Sequence, residues 1–158
     1  MTNPLVGYII NIQEKKGEKV MIKHVRHAWP EKKGFVLNKN INVEEYAFFH
    51  FWQPINLVIG EKEYKTEPDA IVFVDKNTAS KIERLNNDLI YDFIYISADK
   101  IVDILKEYEI ETNVVYYPQN CAFITDVVSK IEGEVFETDK FYKEVAENYL
   151  SILIAKIS

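Results

Sequence analysis

A chain of 158 residues with 47% apolar side chains can bury one full core, which excludes a disordered segment and sets the expectation of one domain. Its 25 acidic residues outnumber 19 basic ones for a net charge of −6, so this chain alone is not expected to hold nucleic acid, which needs clustered Lys and Arg. There is no run of about 18 consecutive apolar residues to span a bilayer, and Met1-Thr2-Asn3-Pro4 lacks the start of a signal peptide; with Cys121 as the lone cysteine, the expectation is a cytoplasmic protein without membrane or disulfide.

The first hundred residues follow a strand rhythm. Leu5 to Ile12 and Lys19 to Val25 read as strands around a Lys15-Lys16-Gly17 turn, followed by Phe35 to Leu37 after Lys32-Lys33-Gly34. Tyr46 to Trp52 and Asn56 to Ile59 are parted by Pro54, which cannot donate a ladder hydrogen bond and marks an edge or turn. Glu63 to Thr66, Ala70 to Val74, Lys81 to Leu85 and Leu89 to Ile96 follow at short spacing, the pattern of a sandwich or barrel. Beyond Ser97 the period changes. Ile101, Ile104, Leu105 and Tyr108 predict a short helix, a loop runs through Tyr116-Tyr117-Pro118, and Phe123, Val127, Ile131 and Val135 with Ile124 and Val128 predict a longer helix. Thr138 or Asp139 is the expected N-cap of a final helix to Ile157. That helix carries Phe141, Val145, Tyr149 and Ile152, but also Tyr142, Ala146, Leu150, Leu153, Ile154 and Ile157, so it is apolar on more than one side. One stripe suffices to pack a helix on its own domain, so the second is read either as sunk in the core or as facing a partner.

Few residues offer chemistry. His24 and His27 are three apart in a strand and the turn after it, where they point to opposite faces. His50 shares a strand face with Phe48 and Trp52, and the strands supply one imidazole where metal catalysis needs three ligands and an open position. No Gly-x-Ser-x-Gly elbow and no glycine-rich phosphate loop is present, and Cys121 reads as a small buried hydrophobe. No catalytic set is therefore expected. Ten Tyr, nine Phe and two Trp exceed what a small core needs, and the pairs His27-x-Trp29 and His50-x-Trp52 could line a cavity.

Tyr46-Ala47-Phe48-Phe49-His50-Phe51, the stretch from Gly60 to Val74 with its Glu67-Pro68-Asp69 turn, Asn77-Thr78 and the stretch from Asn87 to Phe93 occur in an order that resembles the effector domain of AraC-type transcription regulators. The match spans residues 35–96, with Asp69 where the family usually has the turn glycine. The resemblance implies a mainly β fold with C-terminal α: a cupin-like double-stranded β-helix, or jelly-roll barrel, followed by two or three helices. It divides the chain into a barrel region at 1–97 and a helical dimerisation region at 98–158, packed as one compact domain. Metal-binding cupins would have further histidines at Trp52 and near Ser80-Lys81, so the expectation is no metal, no cofactor and no catalytic residue. The implied ligand site is the barrel interior, lined by His50, Trp52, Tyr91 and Phe93 with Trp29 at its mouth, although Ile82 and Phe93 offer a sugar no hydrogen bonds. The implied partners are a small-molecule effector, a second copy through Phe141, Val145, Tyr149 and Ile152, and DNA only through a helix-turn-helix domain absent from this chain. The ending Ile154-Ala155-Lys156-Ile157-Ser158, without glycine cap or proline stop, is read as the edge of an excised sensor half. The alternatives are a stand-alone cupin enzyme, such as a sugar isomerase or dioxygenase with an unusual metal site, and a barrel that only dimerises.

Overall fold

The computed structural model describes residues 22–39, 44–97 and 99–157. Among them the strands are β1 (Ile22–Glu31), β2 (Phe35–Lys39), β3 (Tyr46–Phe51), β4 (Asn56–Ile59), β5 (Lys62–Lys65), β6 (Ala70–Val74), β7 (Ser80–Arg84), β8 (Leu89–Ile96) and β9 (Val115–Tyr116). The helices are α1 (Lys100–Glu107), α2 (Cys121–Glu137) and α3 (Tyr142–Ile157). The strands form two antiparallel sheets, in the orders β1-β8-β3-β6-β9 and β2-β7-β4-β5. The fold is a jelly roll with helices laid on one side.

Three layers follow from the alternation of side chains along the larger sheet. Ala47, Phe49 and Phe51 of β3, Val72 and Val74 of β6, and Tyr91 and Phe93 of β8 face the smaller sheet, where they meet Leu57, Ile59 and Ile82. Tyr46 and Phe48, Ile71 and Phe73, and Ile94 and Ile96 face the other way and are covered by Ile124, Val127, Val128 and Ile131 of α2 and Ala146, Leu150, Leu153 and Ile154 of α3. A strand covered on both faces reads as a continuous apolar run, which is why β3 and β6 are buried at every position. Gly60, at a φ of 60°, makes the tight turn between β4 and β5 in a conformation open to glycine without strain.

The predicted strands from Phe35 to Ile96 all form, with ends shifted by a residue or two. The strand predicted from Leu5 to Ile12 lies outside the described residues, as do the first three residues of the one predicted from Lys19 to Val25. From Ile22 the chain stays extended to Glu31, bending at irregularities in the pairing with β8 between Ile22 and His24 and between Arg26 and Trp29, with Ala28 at a φ of 50°. His27 is therefore in the strand, not in a turn. Val115–Tyr116, read as loop, adds an edge strand to β6, too short for any period to reveal.

Thr138 is a correction. It does not start the last helix; it ends α2, in the left-handed conformation with its N–H donating to Glu134 O at 3.1 Å. Its φ of 50° is a conformation that glycine adopts freely and a β-branched residue does not. Thr138→Gly is expected to raise stability by about 0.5–1 kcal/mol, read as a later urea midpoint at unchanged slope.

Candidate functional site

The polar centre of the molecule is a buried aspartate in an otherwise apolar strand. Alternation along β8 sends Tyr91 and Phe93 between the sheets and Asp92 toward the helices, and β3 places His50 directly opposite Asp92. Asp92 has no solvent exposure. Its Oδ2 accepts from His50 Nδ1 at 2.8 Å and Trp52 Nε1 at 3.0 Å, and its Oδ1 accepts from Ala28 N at 2.8 Å and His27 Nδ1 at 3.0 Å. Burial pushes its pKa up, but the hydrogen bonds from His50, Trp52 and Ala28 outweigh that and hold the carboxyl below its usual range.

The network continues into the helical layer. His27 N donates to Glu132 Oε2 at 3.0 Å, and Thr125 Oγ1 lies 3.2 Å from His27 Nδ1; both partners belong to α2. On the other side, His50 Nε2 lies 2.9 Å from Asp69 Oδ1. Asp69 sits in the turn before β6 at a φ of 68°, where its N–H donates to Phe51 O at 2.9 Å. Cys121, the first residue of α2, brings its Sγ to the same point, and the ligand atoms of His50, Asp69 and Cys121 lie within 4.8 Å of one another. Burial and the Asp69 carboxylate both raise the Cys121 thiol above its usual range. β1, β3, β8 and the β5–β6 turn are thus tied to α2 by polar side chains at a layer boundary that is otherwise apolar.

The space between the sheets is different in kind. Tyr91 and Phe93 stack at 5.3 Å, Phe93 meets Tyr95 at 5.2 Å, Phe51 stacks on Tyr91 at 6.0 Å, and Phe35 approaches Tyr91 at 5.7 Å. Its polar groups sit at the edge: Tyr91 Oη donates to Glu31 Oε2 at 3.2 Å, and the His24 ring stands edge-on to Phe93 at 5.3 Å. Burial, with Glu31 beside it, drives the Tyr91 hydroxyl far above the ordinary phenol range, while burial and then Arg26 lower the pKa of His24.

The five residues expected to line one pocket therefore separate. Tyr91 and Phe93 lie together between the sheets. His50 and Trp52 lie on the opposite face of the same sheet, because β3 and β8 are neighbours in one sheet and His50 is in register with Asp92. Trp29 is exposed on β1, its ring under the Arg26 guanidinium at 5.5 Å. Sequence reasoning passed over Asp92, Glu132 and Thr125, took Cys121 for a small buried hydrophobe, and read Asp69 only as the residue at a turn glycine's place. Asp92 carried a legible signal, since a carboxylate inside Leu89-Ile90-Tyr91-Asp92-Phe93-Ile94-Tyr95-Ile96 is out of place in a buried strand unless it is paired. The others depend on long-range packing.

No protein-family model matches the chain, and no curated protein matches it. Solved structures do. ToxT from Vibrio cholerae O395, solved bound to (E)-4-(8-methylnaphthalen-1-yl)but-3-enoic acid, superposes with a TM-score of 0.53 at 15% identity over 85% of this chain and 57% of that one. The AraC-like transcriptional activator CuxR superposes with a TM-score of 0.51 at 8% identity over 76% of this chain and 48% of that one. The jelly roll with its helical layer is thus a fold that this chain shares with ToxT and with CuxR. At these identities the likeness fixes the fold and assigns no activity. The chain spans about half the length of both proteins. In this jelly roll β3 contributes no imidazole to the barrel interior, because His50 faces the helices. Among the described residues no helix is long and apolar enough to cross a membrane.

Proposed function

We propose that this chain is the ligand-sensing and dimerisation part of a cytoplasmic transcription regulator, and not an enzyme. The observation that carries the reading is the aromatic cluster packed between the sheets, Tyr91, Phe93, Tyr95, Phe49 and Phe51, in a fold shared with ToxT over 85% of the chain. An effector with an aromatic or aliphatic body suits those walls better than a sugar, which needs more hydrogen bonds than Tyr91 and Glu31 supply. The compound bound in the ToxT crystal, an arylbutenoic acid, has this character. A ligand between the sheets presses on Tyr91 and Phe93, which flank Asp92 in β8, and Asp92 is joined through His27 to Thr125 and Glu132 of α2. That gives a route by which occupancy of the barrel biases the helical layer, a coupling between distinct sites. The regulator's DNA contacts belong to a helix-turn-helix domain outside this chain, in keeping with its net charge of −6.

A thermal-melt panel of aromatic and long-chain carboxylic acids against sugars tests the reading. At a hundredfold excess over Kd a ligand of the native state adds about 2.7 kcal/mol, which for a domain of this size is a rise in Tm of roughly 5–10 °C. The acids are expected to give it, the sugars are not, and Phe93→Asp is expected to abolish it. If every compound leaves Tm unchanged, the dimerisation-only barrel is the better account. The stand-alone enzyme predicts turnover of a substrate by the purified chain, which the sensor reading does not.

A further inference from the structure

We propose that His50, Asp69 and Cys121 form a binding site for one thiophilic divalent cation of the zinc type, outside the barrel at its junction with α2. This goes beyond the sensor reading and does not rest on it, since the site lies on the opposite face of the sheet from Tyr91 and Phe93.

The donor set is the first argument. An imidazole nitrogen, a carboxylate oxygen and a thiolate sulfur are a mixed set that suits zinc better than magnesium or calcium, which prefer oxygen throughout. Their positions are the second. The three ligand atoms lie within 4.8 Å of one another, and a tetrahedral zinc ion with bonds of about 2.0–2.3 Å holds its ligand atoms roughly 3.3–3.8 Å apart. Small rotations of side chains close the difference. They come from three separate elements, the end of β3, the turn before β6 and the first residue of α2, so convergence is a property of the fold and not of local sequence.

Orientation is the third argument. His50 is 2% exposed, and its Nδ1 is held by the buried Asp92 carboxylate at 2.8 Å. A carboxylate behind the far nitrogen of a histidine fixes the ring and the tautomer and leaves Nε2 as the metal-facing atom, the arrangement found behind zinc-bound imidazoles. Here Nε2 points at Asp69 Oδ1, 2.9 Å away. On binding, the cation replaces the hydrogen bond between His50 and Asp69 and the thiol hydrogen of Cys121; the displaced protons leave to solvent, and a fourth position stays open to water. The bound ion would join the barrel wall to the start of α2.

The test uses the reduced, metal-stripped 158-residue chain, titrated without oxygen first with Co(II) and then with Zn(II). One equivalent of Co(II) is expected to give a thiolate-to-cobalt charge-transfer band in the near ultraviolet, which one equivalent of Zn(II) removes. Cys121→Ser is expected to lose the band and to weaken Zn(II) binding at least about 100-fold, beyond the roughly 10–100-fold typical of losing an outer-shell partner. Asp69→Asn is expected to keep the band and weaken Zn(II) binding by at least about 10-fold. Both residues are only partly buried, and circular dichroism of the variants confirms that the fold is kept. Less than about a tenth of an equivalent bound, a band that survives Cys121→Ser, or Zn(II) affinity unmoved by both substitutions overturns the proposal.

Discussion

Replacing Asp92 with alanine is expected to lower the stability of the domain by about 3–5 kcal/mol, a large share of the roughly 5–15 kcal/mol that holds a domain together. The carboxylate lies wholly out of solvent and accepts from His50 Nδ1, Trp52 Nε1, His27 Nδ1 and Ala28 N. Removing it leaves those donors facing an apolar void, and each unsatisfied buried donor costs on the order of 1–3 kcal/mol. Relaxation around His27 and Trp52, both only partly buried, lets water reach some of them and keeps the total below the simple sum. Asp92→Asn keeps the volume but turns amide hydrogens toward donors, so its expected loss is of the same order. Urea unfolding followed by tryptophan fluorescence is the measurement, with Asp103→Ala, on the exposed side of α1, as a control expected to stay within about 0.5 kcal/mol. A loss below about 1 kcal/mol for Asp92→Ala would mean that the network does not tie β8 to its neighbours in the way the distances suggest.

The strands were legible because two-sided burial and alternation leave direct marks in sequence. Tyr46 to Phe51 and Ala70 to Val74 are apolar runs bounded by turn residues, and both are central strands. The helix faces were legible for the same reason: Ile124, Val127, Val128 and Ile131 keep the 3-and-4 spacing and are the buried face of α2. The side of the sheet to which each face points was not legible. Alternation correctly grouped His50 with Phe48 and Trp52, but nothing local says whether that group meets the second sheet or the helices, since both neighbours are apolar. The decision depends on the helices after residue 100, whose apolar faces need a sheet to cover and find the Phe48 side. Thr138 failed for a related reason, because a threonine between two helices can serve either end, and only its positive φ assigns it to the first. Cys121 and Asp69 are 52 positions apart in sequence, and their meeting at His50 is visible only once α2 is docked on the sheet.

Ile152→Glu is expected to weaken the proposed dimer by two to three orders of magnitude while leaving the monomer folded. α3 buries Ala146, Leu150, Leu153 and Ile154 against the sheet and α2. The stripe on its other side remains open: Ile152 is 43% and Phe141 59% exposed, with Val145 between them. Tyr149, the fourth residue assigned to that face from the sequence, packs partly against the core, so its loss is expected to cost stability as well as association. An open apolar stripe of this kind favours a partner, and a two-fold axis lets one copy cover the same stripe of another. In a monomer the introduced carboxylate would stand in water at little cost, as surface substitutions do. In the dimer it would be buried without a partner and opposed by its own symmetry mate, at several kcal/mol, and about 1.4 kcal/mol is a tenfold change in Kd. Sedimentation of the wild type at micromolar concentration is expected to give a dimer, and of Ile152→Glu a monomer with an unchanged urea midpoint at low protein concentration. A monomeric wild type, or a variant that stays dimeric, would place the association surface elsewhere or remove it.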